Sequence, residues 1–166
     1  MTRSNGSRTE QALVREVAAI YEWLDQAAIQ AGGPASACRR CGRCCDLEAY
    51  GHRLFLTTPE WIAFRQGLGG EPVRPMPSGR CPYNEGGLCT VYAIRFAGCR
   101  IFRCGLDTQA QSGIAESALV RLKALCIQYA VPYRYVDLAT ALNGPWPERG
   151  RSVRAPQTGG RGGRCT

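Results

Sequence analysis

The sequence has little lysine, a single histidine and no long apolar run. Lys123 is the only lysine and His52 the only histidine, so arginine supplies nearly all the positive charge. No apolar stretch approaches the roughly 18 to 20 residues that a bilayer-spanning helix needs. The first ten residues contain no apolar signal-peptide core either. We therefore expect no membrane segment and a cytoplasmic location, where paired cysteines more often bind metal than form disulfides.

Several familiar catalytic patterns are also missing. The chain contains no phosphate-binding P-loop, no GxGxxG, no HExxH and no nucleophile-elbow serine motif. The sequence therefore leaves open whether the protein is an enzyme. Its 166 residues, with 45% hydrophobic residues, fit one globular domain.

Two long helices are expected to flank an irregular centre. Ser7 and Glu10 fit a capping box that opens a helix over residues 7–31, and a second helix is expected over 112–129. Apolar residues recur at helical spacing in both, at Leu13, Val17, Ile20, Leu24 and Ala28 in the first and at Ile114, Ala118, Leu122, Leu125 and Tyr129 in the second. We expect the first stripe to pack on the cysteine core.

Shorter elements are expected between and after these helices. Residues 53–56 indicate a short extended segment, residues 133–142 indicate a short strand followed by a helical turn, and Thr58 is expected to cap a helix. The predicted fold is therefore mainly α, a small irregular metal-stapled core between two longer helices, with minor β. Residues 1–6 are predicted to be disordered, 7–143 to form the domain, and 144–166 to form a flexible tail rich in Arg, Gly and Pro.

Eight cysteines in the centre are the strongest functional signal. They are Cys38, Cys41, Cys44 and Cys45, which form a CxxCxxCC motif, and then Cys81, Cys89, Cys99 and Cys104. Two residues between cysteines allow a tight turn to direct both sulfurs at one centre. We therefore predict that all eight are metal ligands.

The identity of the metal and the partition of ligands stay open. Three cysteines from one loop favour a [4Fe–4S] cluster, whereas zinc usually takes two ligands from each of two turns. Cys44 and Cys45 are adjacent and seldom both reach one ion. One partition places Cys81 with Cys38, Cys41 and Cys44, and places Cys45 with Cys89, Cys99 and Cys104.

Nearby arginines are expected to offset the negative charge of such a site. They are Arg39, Arg40, Arg43, Arg80, Arg100 and Arg103. Positive charge beside a thiolate lowers its pKa. Arg95 is expected to donate to the site or to a backbone carbonyl. Cys126, between Leu125 and Ile127, is expected to be a packed core residue rather than a ligand, and His52 an ordinary loop residue.

These motifs together resemble the YkgJ-type cysteine-cluster family. The resemblance rests on CxxCxxCC, Cys81-Pro82-Tyr83, Cys89-Thr90-Val91-Tyr92, Arg95, and Cys99-Arg100-Ile101-Phe102-Arg103-Cys104, and it covers residues 38–104. That family is described as a zinc- or iron-chelating domain, and flagellin lysine-N-methylase is a related member. Phe96 stands where the family usually has proline after the arginine. The resemblance implies metal binding strongly and a particular reaction weakly.

Three functions are compatible with this reading. The first is a metal-binding protein with an iron–sulfur cluster or zinc, in an accessory or redox role, with metal and a protein as its partners. The second is a protein methyltransferase-like enzyme that uses the metal site. The third is a zinc-stapled nucleic-acid binder, which would draw on the arginines and the glycine–arginine repeat at 159–164. A nucleic-acid partner is not expected.

Overall fold

The structure, a computed structural model, describes residues 3–32, 38–103 and 105–146, with side chains from residue 8. In these ranges five helices and four short strands occur, so the chain is mainly α with minor β, as predicted. The predicted ligand Cys104 lies outside the described residues. The same holds for the C-terminal segment that contains the glycine–arginine repeat and Cys165.

The helices are α1 (Arg3–Gly32), α2 (Thr58–Gly67), α3 (Ala97–Ile101), α4 (Thr108–Gln128) and α5 (Leu138–Asn143). The strands are β1 (Phe55–Thr57), β2 (Asn84–Glu85), β3 (Leu88–Cys89) and β4 (Tyr135–Asp137). β1 pairs antiparallel with β4, and β2 pairs antiparallel with β3 in a tight hairpin. Short 3₁₀ turns occur at Arg43–Cys45 and Tyr92–Ile94.

Both long helices begin earlier than the sequence predicted. α1 begins at Arg3 rather than Ser7, so residues 3–6, predicted as disordered, belong to the helix. No proline precedes Ser7 to stop the helix there. α4 begins at Thr108 rather than Ser112 because the Asp107 carboxylate accepts a hydrogen bond from the Ala110 N–H (2.9 Å) and caps the helix.

The N-cap of α2 is Thr57, one residue before the predicted Thr58. Glu60 lies three residues after Thr57, and its carboxylate accepts a hydrogen bond from the Thr57 N–H (2.8 Å). This is the reciprocal arrangement of a capping box, which the Thr57-x-x-Glu60 spacing indicates. The prediction placed the cap one residue too late because it assumed that the proline occupies the first helical position.

The predicted stripes of α1 and α4 form one of the two hydrophobic cores. Leu13, Val17 and Leu24 of α1 pack with Leu122 and Leu125 of α4, and all five are buried. The α1 stripe therefore packs on α4 and also on the cysteine-rich segment between residues 38 and 104. It contacts that segment through Ala63 of α2 and through Ala97 and Ile101 of α3.

The second core lies between α2, the β1–β4 pair and α5. Phe64, Leu56 and Leu138 are buried there, and Trp146 packs against the same cluster. The Trp146 ring stacks on Trp61 at 5.0 Å between centroids. The packed domain thus includes Trp146, three residues past the predicted boundary at 143. Burial of its large apolar indole ring lowers the free energy of the folded chain.

Candidate metal centre

The loop with the first four cysteines is joined to the segment that carries Cys81. The Cys81 N–H donates to the Cys45 carbonyl (2.8 Å), and the Leu47 N–H donates to the Gly79 carbonyl (2.9 Å). Asp46 and Arg80 form an antiparallel bridge between these two bonds. Residues far apart in the sequence are therefore held backbone to backbone, with Cys45 beside Cys81.

The β2–β3 hairpin supports the same loop from the other side. The Asn84 amide donates to the Gly42 carbonyl (3.1 Å), and the Asn84 side-chain oxygen accepts from the Gly87 N–H (3.2 Å). Gly42 has a left-handed φ of 67°, and a Cβ there would lie 2.3 Å from the Gly87 carbonyl oxygen. Only glycine allows the loop to approach the hairpin that carries Cys89 so closely.

Cys99 lies on α3, whose N-terminus is held by the buried Glu60. The Glu60 carboxylate accepts hydrogen bonds from the Ala97 N–H (2.8 Å) and from the N–H and hydroxyl of Thr57 (both 2.8 Å). One carboxylate therefore ties the start of α3 to the start of α2. Burial raises the pKa of Glu60 although these donors oppose the shift.

Four thiols, one from each of these four segments, interact electrostatically. They form what we call the inner quartet, Cys45, Cys81, Cys89 and Cys99. Burial raises the pKa of Cys99, and the neighbouring Cys81, Cys45 and Cys89 raise it further. Burial likewise raises the pKa of Cys81 to about 11, with further contributions from Cys45 and Cys89. Removing a proton from Cys81, Cys89 or Cys99 is therefore less favourable than from an exposed thiol unless a positive charge compensates.

Hydrogen-bond donors nevertheless point at three of these sulfurs. The Tyr83 N–H donates to Cys81, and the Val91 N–H donates to Cys89, in each case two residues after the cysteine. Cys45 receives hydrogen bonds from the Cys44 thiol and from the Asn84 amide. These bonds, the Cys44 one foremost, lower the pKa of Cys45, and the same Cys44–Cys45 bond raises the pKa of Cys44. Donors of this kind favour a thiolate over a thiol.

The remaining cysteines of the motif differ in exposure, and Cys44 is half-buried like Cys45. Cys38 is half-buried and Cys41 is exposed. The Cys38 thiol contributes to the raised pKa of both Cys44 and Cys89. The partition suggested from the sequence placed Cys81 with Cys38, Cys41 and Cys44. Cys45 and Cys89 raise the pKa of Cys81, and the bridge at Asp46 and Arg80 holds Cys81 beside Cys45. The partition of the eight cysteines stays a prediction.

Three buried arginines meet on one carboxylate beside the quartet. Asp25 of α1 pairs with Arg95 (3.3 Å), Arg100 (2.5 Å) and Arg103 (2.7 Å). The arginine side chains are 4–7% exposed, whereas that of Asp25 is 33% exposed. The three positive charges and one negative charge leave two positive charges in excess. Arg95 also lowers the pKa of Cys89 and Cys99.

The arginines therefore have roles that the sequence assigned only in part. Arg95 donates to the Tyr92 carbonyl (2.9 Å), which is the backbone contact we predicted. Arg100 and Arg103 bind Asp25 and backbone carbonyls, while Arg80 lowers the pKa of Cys45. Sequence reasoning missed Asp25 because a single acidic residue beside an apolar stripe looks like an ordinary surface position.

Two further residues were singled out from the sequence. Cys126 is buried in α4 at 4% exposure, and burial raises its pKa, so it is the packed core residue that we predicted. His52 stacks on Phe102 at 4.1 Å between ring centroids, and neither ring nitrogen has a hydrogen-bond partner among the residues that the structure describes. Burial lowers the pKa of His52, so its neutral form is favoured.

As the side chains stand, the ranges that the structure describes contain no group of three or more histidine, cysteine, aspartate or glutamate residues arranged to hold a metal ion. Comparison of the chain with models of known families, with curated proteins and with solved structures finds no match. None of the described helices is both long enough and apolar enough to cross a membrane.

Proposed function

We propose that this chain is a metal-binding protein that holds an iron–sulfur cluster or zinc through its cysteines. The observation that carries the proposal is the inner quartet. Hydrogen bonds hold Cys45 beside Cys81 and hold the hairpin of Cys89 against the loop of Cys45, and Cys45, Cys81 and Cys89 all raise the pKa of Cys99. Thiols that are partly buried, that act on one another electrostatically and that accept hydrogen bonds are poorly suited to a role as free cysteines. They are well suited to thiolates that a cation neutralises.

The charge around the quartet fits this proposal. Four thiolates with one Zn²⁺, or with one [4Fe–4S]²⁺ cluster, have a net charge of −2. The Asp25 cluster has an excess of +2 and includes Arg95, which acts on Cys89 and Cys99. A buried charge is unfavourable when no opposite charge compensates it. The dianionic centre and the arginines would therefore stabilise each other. Since the thiols are not yet arranged as ligands of one ion, loading would draw them closer.

The ligand partition follows from the same contacts. Cys45, Cys81, Cys89 and Cys99 are the donors for one centre. Cys38, Cys41, Cys44 and Cys104 remain as donors for a second, and three of these four come from the CxxCxxC loop. Such a loop is typical of a [4Fe–4S] cluster, so the iron–sulfur form is favoured over zinc. The role would be accessory or redox, in a cytoplasm that keeps the thiols reduced.

Arginine burial weakens one alternative. Arg95, Arg100 and Arg103 are the buried partners of Asp25 and therefore cannot reach a nucleic-acid backbone. The methyltransferase-like alternative stays a prediction of the sequence resemblance alone.

Metal analysis of anaerobically purified protein tests the proposal. We expect either iron with equimolar sulfide and a broad visible absorption band, or zinc in a colourless protein. Cys89→Ser should lower the metal content because it removes one donor from the inner quartet. The matched control is Cys126→Ser, which removes a thiol that packs in α4 away from the quartet.

Two outcomes would refute the proposal. One is a folded chain that contains no metal after anaerobic purification and that takes up neither zinc nor iron and sulfide. The other is an equal loss of metal from Cys89→Ser and from Cys126→Ser, which would mean that the effect comes from destabilisation rather than from ligand removal. Thermal unfolding of both variants separates these causes.

A further inference from the structure

The outward face of α4 is apolar although nothing in the described chain covers it. Val120 is 70% exposed and Ile127 is 80% exposed, which are high values for large β-branched side chains. Gly113, Ser117 and Ala124 are exposed on the same face. The Ser117 hydroxyl donates to the Gly113 carbonyl within the helix (2.9 Å), so its polar group is satisfied without solvent. α4 is thus apolar on both its inner and its outer side.

The spacing of these residues is that of a coiled-coil seam. Positions 113, 117, 120, 124 and 127 alternate steps of four and three, which keeps one straight face toward a partner helix. Ala110 extends the row by one step at the N-terminal end. The large residues lie in the C-terminal half of the row, and the small ones lie mainly in the N-terminal half.

We propose that α4 pairs antiparallel with α4 of a second copy of this chain. In an antiparallel pair centred between residues 118 and 119, Val120 faces Ser117 of the second copy, and Ile127 faces Ala110 of the second copy. Each large side chain therefore fills the space beside a small one, and Gly113 beside Ala124 permits close approach.

The flanking charges also fit this orientation. Glu116 and Lys123 flank the seam on one side, are seven residues apart and are both exposed. In the antiparallel pair, Glu116 of each copy lies beside Lys123 of the other, which gives two ion pairs related by the twofold axis. The Lys123 ammonium lies 5.6 Å from the centre of the Tyr133 ring and still reaches solvent. A parallel pair would place Val120 opposite Val120 and Gly113 opposite Gly113, so that large side chains no longer meet small ones. Glu116 would then lie near Arg121 of the second copy rather than near Lys123.

The contact is small, so the pairing should be reversible. The row from residue 110 to 127 is about 26 Å long at 1.5 Å per residue. A helix pair of that length lies at the lower limit of specific interfaces, about 1,000 Å² in total, where micromolar dissociation constants are usual.

Sedimentation velocity of the full chain, from low micromolar to sub-millimolar concentration, tests the proposal. Reductant must be present so that disulfides do not link copies. We expect a concentration-dependent monomer–dimer equilibrium. Val120→Glu should weaken it at least about tenfold because it buries a charge in the seam. The matched control is Ile29→Glu, since Ile29 of α1 is also an exposed apolar residue (47%) but lies outside the seam.

A charge exchange tests the orientation. Glu116→Lys and Lys123→Glu should each weaken the dimer by several-fold, because each places like charges in contact. The double variant should restore it, since the exchanged pairs are again opposite in sign. A chain that stays monomeric at all concentrations, a dimer that Val120→Glu leaves intact, or a double variant that is not restored would each overturn the proposal.

Discussion

The ion cluster on Asp25 offers a direct test of how α3 is held against α1. Asp25→Asn keeps the shape of the side chain but removes the carboxylate that faces three buried guanidinium groups. The variant should destabilise the domain, because three positive charges would then lie together without an anion. It should also loosen α3, which carries Cys99.

The size of the effect follows from the contacts that remain. Hydrogen bonds to charged groups contribute about 1.5–3 kcal/mol each, so three lost bonds set an upper limit of roughly 9 kcal/mol. Arg100 keeps its bonds to the Ala93 and Arg95 carbonyls, and Arg103 keeps its bond to the Arg100 carbonyl. Asp25 is also one-third exposed, so solvent screens part of the interaction. We therefore expect a loss of about 3 kcal/mol.

Thermal unfolding measures this loss. For a domain of this size, about 3 kcal/mol corresponds to a fall in Tm of roughly 6–12 °C. The matched control is Glu22→Gln, which removes an exposed carboxylate from the same helix and should leave Tm nearly unchanged. If the two variants lower Tm equally, the Asp25 cluster does not hold α3 to α1 and the reasoning is wrong.

Three other predictions concern Gly42 in the cysteine loop, the Glu60 carboxylate at the start of α2, and the reactivity of Cys45. In urea unfolding, Gly42→Ala should lower the free energy of unfolding clearly more than Gly51→Ala. Both glycines have a positive φ, which costs about 1–2 kcal/mol for alanine, but only a Cβ at Gly42 meets a carbonyl. Burial raises the pKa of Glu60 above 4.5, so its contribution to stability is full below pH 4.5 and is lost as the pH rises through the folded pKa. Glu60→Gln should therefore remove this pH dependence of the free energy of unfolding. An unchanged pH dependence would contradict the assignment. In metal-free protein, Cys45 should be alkylated faster than Cys81 at neutral pH, measured by mass spectrometry, and equal rates would show that its hydrogen bonds do not favour the thiolate.

The secondary structure was largely readable from the chain. The stripes of α1 and α4 have the period of a helix, and the residues that the period selects are the buried ones. The helix starts were less accurate, because the cap at Asp107 and the capping box at Thr57 depend on which side chain reaches the backbone. Helix ends are set by such local competition.

The seam on α4 shows what helical periodicity does not determine. The inner stripe was recognised because it fits one apolar face. Val120 and Ile127 also recur at helical spacing, but the sequence alone does not tell which of two apolar faces packs inside. Only the packing of α1 against Ala118 and Leu122 decides that Val120 and Ile127 point outward.

The sequence by itself determined a mainly helical chain with cysteines at close spacing, because helical period and cysteine spacing are local properties. Tertiary structure decided which thiols meet. Cys45 and Cys81 are joined by a backbone bridge, Cys89 by the Asn84 contacts, and Cys99 by a carboxylate shared between two helices. Each of these contacts joins positions far apart in the chain, so no local pattern encodes them.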